Sequence, residues 1–437
     1  MSGGSIRRSL LVFGRRFSSV GIFSVLVLCG AASFAAPITP GNLVLARATG
    51  GPNGDGSQAL AGGGLAATIY LDEYTTSGVL VQSIKAPNVQ NTTIGSQRGL
   101  TLSGAANTEG LLSLSGNGQY LVIGGYNQTA NVAGTNGNAS YNEASPSTVV
   151  ERVAGRMDLS GNWETSTAFV DAMSSQSIRS AYSPDGTNFY VTGNGGNGIT
   201  VAGSAKTTNG IHLGVLGVNT GGTTLSTQLN PAGLTTNNRQ VLVYNGTVYV
   251  SNANTSGTQA PGRGVDKIAF DSVNNDNRLF SLPGFPTAAG PAPDDFWFFN
   301  DTTLYLADAR TDVTNGGIQK WTFDGTNWIL QYTLGAGQLT TTATTPGPAG
   351  VHGLAGTTNG NGNVVLFGTT FDGTGANQTK FFTVTDTGAA SLVAVLGTSP
   401  TNSAFRGIEY IPVPEPTSIS MLALAMLGVA ARARRRK

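Results

Sequence analysis

Cysteine is almost absent from this chain. The single thiol, Cys29, lies in a segment that reads as an export leader, so the remaining body has none. Disulfides, thiolate catalysis and cysteine-ligated zinc are thereby excluded. Histidine is nearly as scarce: His212 and His352 stand far apart in sequence, make a weak zinc site by themselves, and form no His-Glu-x-x-His pattern. Only 11% of the 437 residues are charged. Four of the 24 cations lie in the leader and five at the extreme C-terminus, which leaves Ala36–Pro416 with 15 cations against 23 acids, a net charge of −8. An acidic body lacks the basic face that a phosphate backbone requires, and nucleic acid is not an expected partner. Strings such as Gly193-Asn194-Gly195-Gly196-Asn197-Gly198 follow a strand but open no helical pattern, so no nucleotide loop is expected either. There is no Gly-x-Ser-x-Gly elbow in a strand-helix context. No metal site and no cofactor are expected.

The two termini carry the clearest patterns. Arg7, Arg8, Arg15 and Arg16 form a basic n-region, Val20 to Gly30 an apolar h-region, and Ser33-Phe34-Ala35 places small residues at the −3 and −1 positions of a signal-peptidase site. Cleavage is expected after Ala35. Arg7-Arg8-Ser9-Leu10-Leu11 is also similar to a twin-arginine signal, and both export routes stay open. Leu28 is too large for a lipoprotein site ahead of Cys29. At the other end, Val413-Pro414-Glu415-Pro416 precedes an uncharged run from Thr417 to Ala431 and then Arg432, Arg434, Arg435, Arg436 and Lys437. Cations flanking an apolar segment resist translocation, so this cluster stays cytoplasmic and everything before it sits outside. The apolar core, Ile419 to Ala431, is 13 residues long. As a helix it spans about 20 Å against a hydrocarbon thickness of about 30 Å, short for a permanent anchor.

This three-part tail resembles the PEP-CTERM sorting signal of Gram-negative bacteria. The resemblance covers the tail alone, residues 413–437, and implies a short transmembrane helix that is recognised and cut by a membrane enzyme, the exosortase. It implies a transient inner-membrane precursor whose product ends on the envelope surface or in the extracellular matrix, in biofilm-type material. PEP-CTERM proteins as a class are associated with exopolysaccharide, so an exopolysaccharide or another surface protein is the implied partner. Signal peptidase and exosortase are the implied processing enzymes.

Between the termini, short apolar bursts alternate with turn residues, as in an all-β domain, over 36–412. Six units begin at Glu109, Arg179, Arg239, Asp295, His352 and Arg406, separated by 70, 60, 56, 57 and 54 positions. Within them Asn117-Gly118, Asp185-Gly186 and Asn245-Gly246 sit between apolar strands, which is a strong hairpin signal because both residues tolerate positive φ. Four strands per unit at this period make a β-propeller the expected fold, with a β-sandwich or parallel β-helix as the competing architectures. The last unit stops after one strand, and the N-terminal bursts Asn42–Arg47, Ala67–Leu71 and Val79–Ile84 supply the other three. Six four-stranded blades closed by N- and C-terminal strands are therefore expected. The Ser183-Pro184-Asp185-Gly186 turn is similar to those of bacterial lactonase-like and surface-layer propellers.

The residues opening the first strands, Glu109, Arg179, Arg239, Asp295, His352 and Arg406, would converge at one mouth of a central channel. Two readings follow. They neutralise one another as a structural ring on a non-catalytic binding propeller, or they form the site of a lactonase-like or phosphoesterase-like hydrolase. In the second, Glu109 or Asp295 is base or cation ligand, His352 the proton shuttle, and the three arginines hold an anion. The adjacent acids Asp294-Asp295 and Asp72-Glu73 are either solvated or cation-bound. Asp185 and Asp324, each in an Asp-Gly-Thr turn, cap their own loops.

Overall fold

Turn chemistry sets the architecture. Asn245 and Gly246 both take positive φ, 48° and 75°, in the two-residue connection between β15 (Asn238–Tyr244) and β16 (Thr247–Asn252). Such a turn matches the natural twist of an antiparallel pair, and the strands it joins pair from Tyr244 with Thr247 outward. The computed structural model describes residues 35–414 except 61–64, 133–144, 197, 202, 218–224, 231–236, 255–261, 274, 287–288, 342–346 and 372–377. Among the described residues every regular element is a strand, and none forms a helix long and apolar enough to cross a membrane.

The chain opens with β1 (Leu43–Thr49), β2 (Ala66–Tyr74), β3 (Leu80–Lys85) and the short β4 (Thr101–Ser103). Next come β5 (Leu112–Leu114), β6 (Tyr120–Tyr126), β7 (Arg152–Asp158) and β8 (Trp163–Phe169). A four-stranded sheet follows from β9 (Ile178–Tyr182), β10 (Asn188–Gly193), β13 (His212–Val215) and β14 (Thr227–Gln228), with the hairpin β11 (Ile199–Val201) and β12 (Ser204–Lys206) inserted. β15 and β16 continue into β17 (Gly264–Asp271) and β18 (Asp276–Ser281). The sheet of β19 (Pro293–Asn300), β20 (Thr303–Asp308), β21 (Gly317–Phe323) and β22 (Trp328–Leu334) is next. The last is β23 (Gly350–Thr358), β24 (Val364–Phe371), β25 (Lys380–Thr385) and β26 (Val393–Thr398), and β27 (Ser403–Tyr410) ends the described fold.

The arrangement is propeller-like. Four sheets, those starting at β9, β15, β19 and β23, are separate four-stranded antiparallel blades. The remaining strands are not resolved into two further separate sheets: they form one nine-stranded sheet, in which β4 bridges β2 and β6. The sequence pattern gives no sign of β4, which is only three residues long. Within that sheet β1 pairs antiparallel with β27, Leu43 opposite Tyr410 and Thr49 opposite Ser403, so the two ends of the fold are hydrogen-bonded to each other. The first strands touch in the cyclic order β5, β9, β15, β19, β23, β27 and back to β5.

The hydrophobic core lies in the seams between neighbouring sheets. Tyr305, Ala307 and Ile318 pack on Val351, Leu366 and Phe382 in one seam. Leu43, Leu45 and Tyr74 meet Phe367, Phe381 and Phe405 in another, where the Tyr74 and Phe381 rings lie 4.7 Å apart. Burying a large apolar side chain contributes about 1.5–3 kcal/mol, so these seams bind sheet to sheet. Near the centre the strands come too close for side chains: a Cβ on Gly407 would lie 2.1 Å from the Leu112 backbone nitrogen.

Candidate functional site

Five of the six first strands carry an irregularity at the position the sequence pattern singles out; β5 pairs regularly. On β15, Arg239 and Gln240 together oppose Ser251; on β19, Asp294 and Asp295 oppose Ala307; on β23, His352 and Gly353 oppose Thr369. Arg179 on β9 is a single extra residue, and on β27 Arg406 and Gly407 face Ala46. A bulge leaves one residue out of the ladder and re-aims its side chain, so consecutive residues can both turn toward the centre. Hydroxyls from the neighbouring sheet hold some of these bulges: Ser180 donates to the Arg239 carbonyl and Ser251 to the Asp294 carbonyl, both at 2.6 Å, and Thr369 donates to that of Arg406.

The first bulge residues form an ion network. Asp294, fully buried, is paired through one carboxylate oxygen with Arg239 and accepts from His352 Nδ1 at 2.6 Å through the other. His352 Nε2 lies 3.3 Å from the Glu109 carbonyl. Burial first, and then the neighbouring Arg406 and Arg239 cations, hold the His352 pKa down to about 3. The imidazole is therefore neutral near pH 7, with Nδ1 facing the carboxylate. Glu109, on the loop before β5, spends both oxygens inside the protein: one accepts from the Ser103 amide at 2.9 Å, the other from the Tyr126 hydroxyl at 2.5 Å. Arg179 donates to the Asn237 side chain and the Asn238 carbonyl.

Five of the six predicted residues, Glu109, Arg179, Arg239, His352 and Arg406, thus fall in one neighbourhood. Asp295 lies one step further. Its carboxylate accepts from its own strand's Phe296 amide at 2.8 Å and from Leu354 at 2.9 Å, and the ring acid is Asp294. The bulge swaps the two, and nothing in the spacing of apolar residues reveals a bulge.

Asp295 instead lines a cavity of about 480 Å³ on the inner faces of the first strands. Its walls are largely aromatic and aliphatic: Tyr182, Leu242, Tyr244, Trp297, Phe299, Leu354 and Tyr410. Its polar groups include Asp295, Glu409, Gln240, Ser113, Thr357 and Thr358. Glu409 accepts from the Leu114 amide at 3.0 Å, and burial pushes its pKa up to about 8. Burial also raises Asp295 well above the carboxylate range, with the Glu409 charge adding to the effect. Gln240 donates across to the Leu112 carbonyl at 3.1 Å and to Ser113 Oγ at 3.2 Å, and its own Oε1 has no partner among the described residues. Sequence reasoning missed Glu409 and Gln240. Both were in view, three residues after Arg406 and one after Arg239, but neither has a pattern of its own.

The other singled-out acids are partnered internally. Asp72 pairs with Arg47 inside the sheet, and Glu73 accepts from the Thr39 amide, Asn42 and Gln82. Asp185 and Asp324 cap their turns, accepting from Thr187 and Asn188 and from Thr326 and Asn327. His212, also buried, bonds to Ser226 and the Asn209 carbonyl, far in the chain from His352.

At the end of β27 the chain leaves the fold abruptly. Ile411 is buried and exchanges backbone hydrogen bonds with Gly41 and Asn42, so it is not the exposed residue that a cleavage linker would begin with; Pro412, Val413 and Pro414 are exposed. Residues 412–437 match the model of the PEP-CTERM protein-sorting motif. The tail is a PEP-CTERM sorting motif. It implies an exported protein that is handled at the membrane and processed by exosortase. Glu415, Pro416, the apolar run expected to be helical and the basic cluster of the PEP-CTERM motif lie outside the described residues.

No curated protein matches the sequence. Among solved structures, the body is similar to a hypothetical selenium-binding protein from Sulfolobus tokodaii, at 9% identity and a TM-score of 0.41 over 86% of this chain and 94% of that one. It is also similar to the soluble aldose sugar dehydrogenase of Escherichia coli, at 9% identity and 0.37 over 76% and 92%. A β-xylosidase/α-arabinofuranosidase from a compost microbial metagenome, in complex with xylotriose, gives 13% identity and 0.35 over 69% and 97%. These likenesses concern arrangement alone and assign no chemistry to this chain.

Proposed function

We propose that the chain is a non-catalytic binding propeller of the envelope surface or extracellular matrix of a Gram-negative bacterium. In this reading residues 1–35 are a signal peptide removed by signal peptidase, 36–412 the propeller, and 413–437 the sorting signal, with Val413, Pro414, Glu415 and Pro416 as the recognised motif. The body counts six blades when the nine-stranded sheet is divided at β4 into β27-β1-β2-β3 and β5-β6-β7-β8. The cyclic contact of six first strands supports that count. The partner is an exopolysaccharide or another surface protein.

The observation that carries the non-catalytic reading is the commitment of Glu109, Arg239 and His352 to internal partners. Glu109 has both oxygens committed, Arg239 is paired with Asp294, and His352 is held neutral as a base far too weak to shuttle protons near pH 7. A hydrolase built on Glu109 and His352 needs one of these groups free to meet a substrate. The test is a turnover screen of the purified chain against lactones, phosphate esters and glycans, with and without calcium, alongside Glu109→Gln. The expected result is binding of a glycan or protein ligand without turnover, and a lowered melting temperature in the variant. Turnover of a lactone or phosphate ester that is lost in Glu109→Gln at unchanged melting temperature would establish the hydrolase instead.

A further inference from the structure

We propose that the cavity on the first strands is one half of an aromatic groove that binds a neutral glycan chain. The inference rests on the binding reading above, chooses the glycan over a protein partner and gives it a place. A second cavity, of about 310 Å³, is lined by Tyr249, Lys267, Pro283, Asp301, Phe323 and Trp328. It shares Tyr244 and Phe298 with the first. Those two rings stack 4.5 Å apart with 13° between their planes, and they form the saddle where the two cavities adjoin. The aromatic run at the end of β19 serves both sides. Trp297 and Phe299 line the first cavity, and Phe298 reaches the second, because neighbouring side chains on a strand point to opposite faces. Phe299 stays exposed, so this run is not spent on the core alone.

The faces of aromatic rings are negative, and they attract the C–H groups that line one face of a pyranose ring. The polar groups then decide among ligands that seek aromatic surface. In the first cavity the Trp297 indole N–H and the hydroxyls of Tyr410, Thr357 and Thr358 have no hydrogen-bond partner among the described residues. The hydroxyls among them accept as well as donate. Asp295 and Glu409 keep their protons near pH 7 through burial, so they add donors without adding charge. In the second cavity Lys267 and Asp301 bring one charge of each sign, and Asp301 accepts from Tyr244 and Asn245, both at 2.8 Å.

The groove as a whole is therefore balanced in charge and mixed in hydrogen bonding. A strongly charged ligand finds no opposite field there. A proline-rich peptide matches the aromatic surface, but its backbone offers carbonyl acceptors and no N–H at each proline, which leaves the acceptors of the groove unmet. A sugar presents hydroxyls that donate and accept in turn around an apolar face, and this meets both halves of the lining. Each cavity has the volume of a small-molecule site, and two in succession call for a chain of sugars rather than one. Two of the four tryptophans lie in the groove, one in each cavity, and report its occupancy.

The experiment is titration of the full-length chain, followed by calorimetry and tryptophan fluorescence, in lauryldimethylamine oxide so that the detergent brings no sugar. The probes are cellohexaose, xylohexaose and maltohexaose, their disaccharides, hexagalacturonic acid and hexaproline. At least one neutral hexasaccharide is expected to bind, to shift the tryptophan emission, and to bind about tenfold or more tightly than its own disaccharide. Trp297→Ala should weaken it by about tenfold. Tyr410→Phe combined with Thr357→Val removes two hydroxyls at nearly constant shape, and should weaken it by about threefold while melting as the parent does; this pair keeps the test open where Trp297→Ala does not fold. Binding of none of the neutral hexasaccharides, equal binding of hexasaccharide and disaccharide, or tighter binding of hexagalacturonic acid or hexaproline would overturn the proposal. A hexasaccharide bound equally well by the parent and the variants would place the glycan elsewhere, which overturns the groove and leaves the binding-propeller reading standing. Shortened sugars in the chromatogram of the bound chain would overturn the non-catalytic reading and leave the groove.

Discussion

Burial decides the charge state of the central side chains, and through it the response of the protein to pH. Glu409 goes up to about 8, Asp266 to about 7 and Asp295 well above the carboxylate range, with burial the first cause in each. The folded state keeps these protons where the unfolded chain, titrating near pH 4, has lost them, so stability falls as pH rises through about 8. His352, at about 3, and His212, also pulled down by burial, act in the opposite direction. Their unfolded imidazoles take up protons below about pH 6.5 while the folded ones do not, so stability falls as the solution becomes more acidic than that. Above about pH 6.5 only the carboxyls remain in play. The melting temperature is expected to drop between about pH 6.5 and 8.5, and Glu409→Gln, which has no proton to lose, to flatten the drop; a melting temperature that climbs over this interval would contradict the assignment. Much of this neighbourhood was legible in the sequence, since Glu109, Arg179, Arg239, His352 and Arg406 open recurring apolar units. Asp294, Gln240 and Glu409 were not, because bulges and the reach of a side chain across a centre leave no trace in periodicity.

Among the elements, β27 has the most to hold. It pairs with β1 along its length, places Phe405 and Ile408 in one seam and contributes Arg406 and Glu409 to the centre. A chain ending at Asn402 therefore opens an edge, a seam and the network together. Its cooperative melting transition is expected to disappear, whereas deletion of Thr417 to Lys437 should leave the curve unchanged; indistinguishable curves for the two truncations would show that the β1–β27 pairing does not close the fold. This closure was readable because the last unit stops after one strand and the first bursts supply three. Hairpins announced themselves through Asn-Gly and Asp-Gly turns, whose stereochemistry is local. The bridging strand β4 and the hairpin β11–β12 did not, being three residues each and held by neighbours rather than by their own pattern.

For the whole molecule, the sorting tail and the body meet with no linker to spare. Ile411 is locked to Gly41 and Asn42, and the exposed stretch starts at Pro412. The native protein is expected to have an intact mass that lacks both the residues up to Ala35 and the arginine-rich end; a stable species retaining Lys437 would show that the tail is a permanent anchor. The same molecule offers one decisive site for the central claim, that the ring of charged side chains at its centre is structural. In Asp294→Asn, Arg239 and the His352 N–H face a neutral amide in a buried position, and breaking a buried ion pair costs about 3–5 kcal/mol. The measurement is the melting temperature of that variant against the parent at neutral pH. The account predicts a fall of at least about 5 °C; a melting temperature equal to the parent's would contradict it.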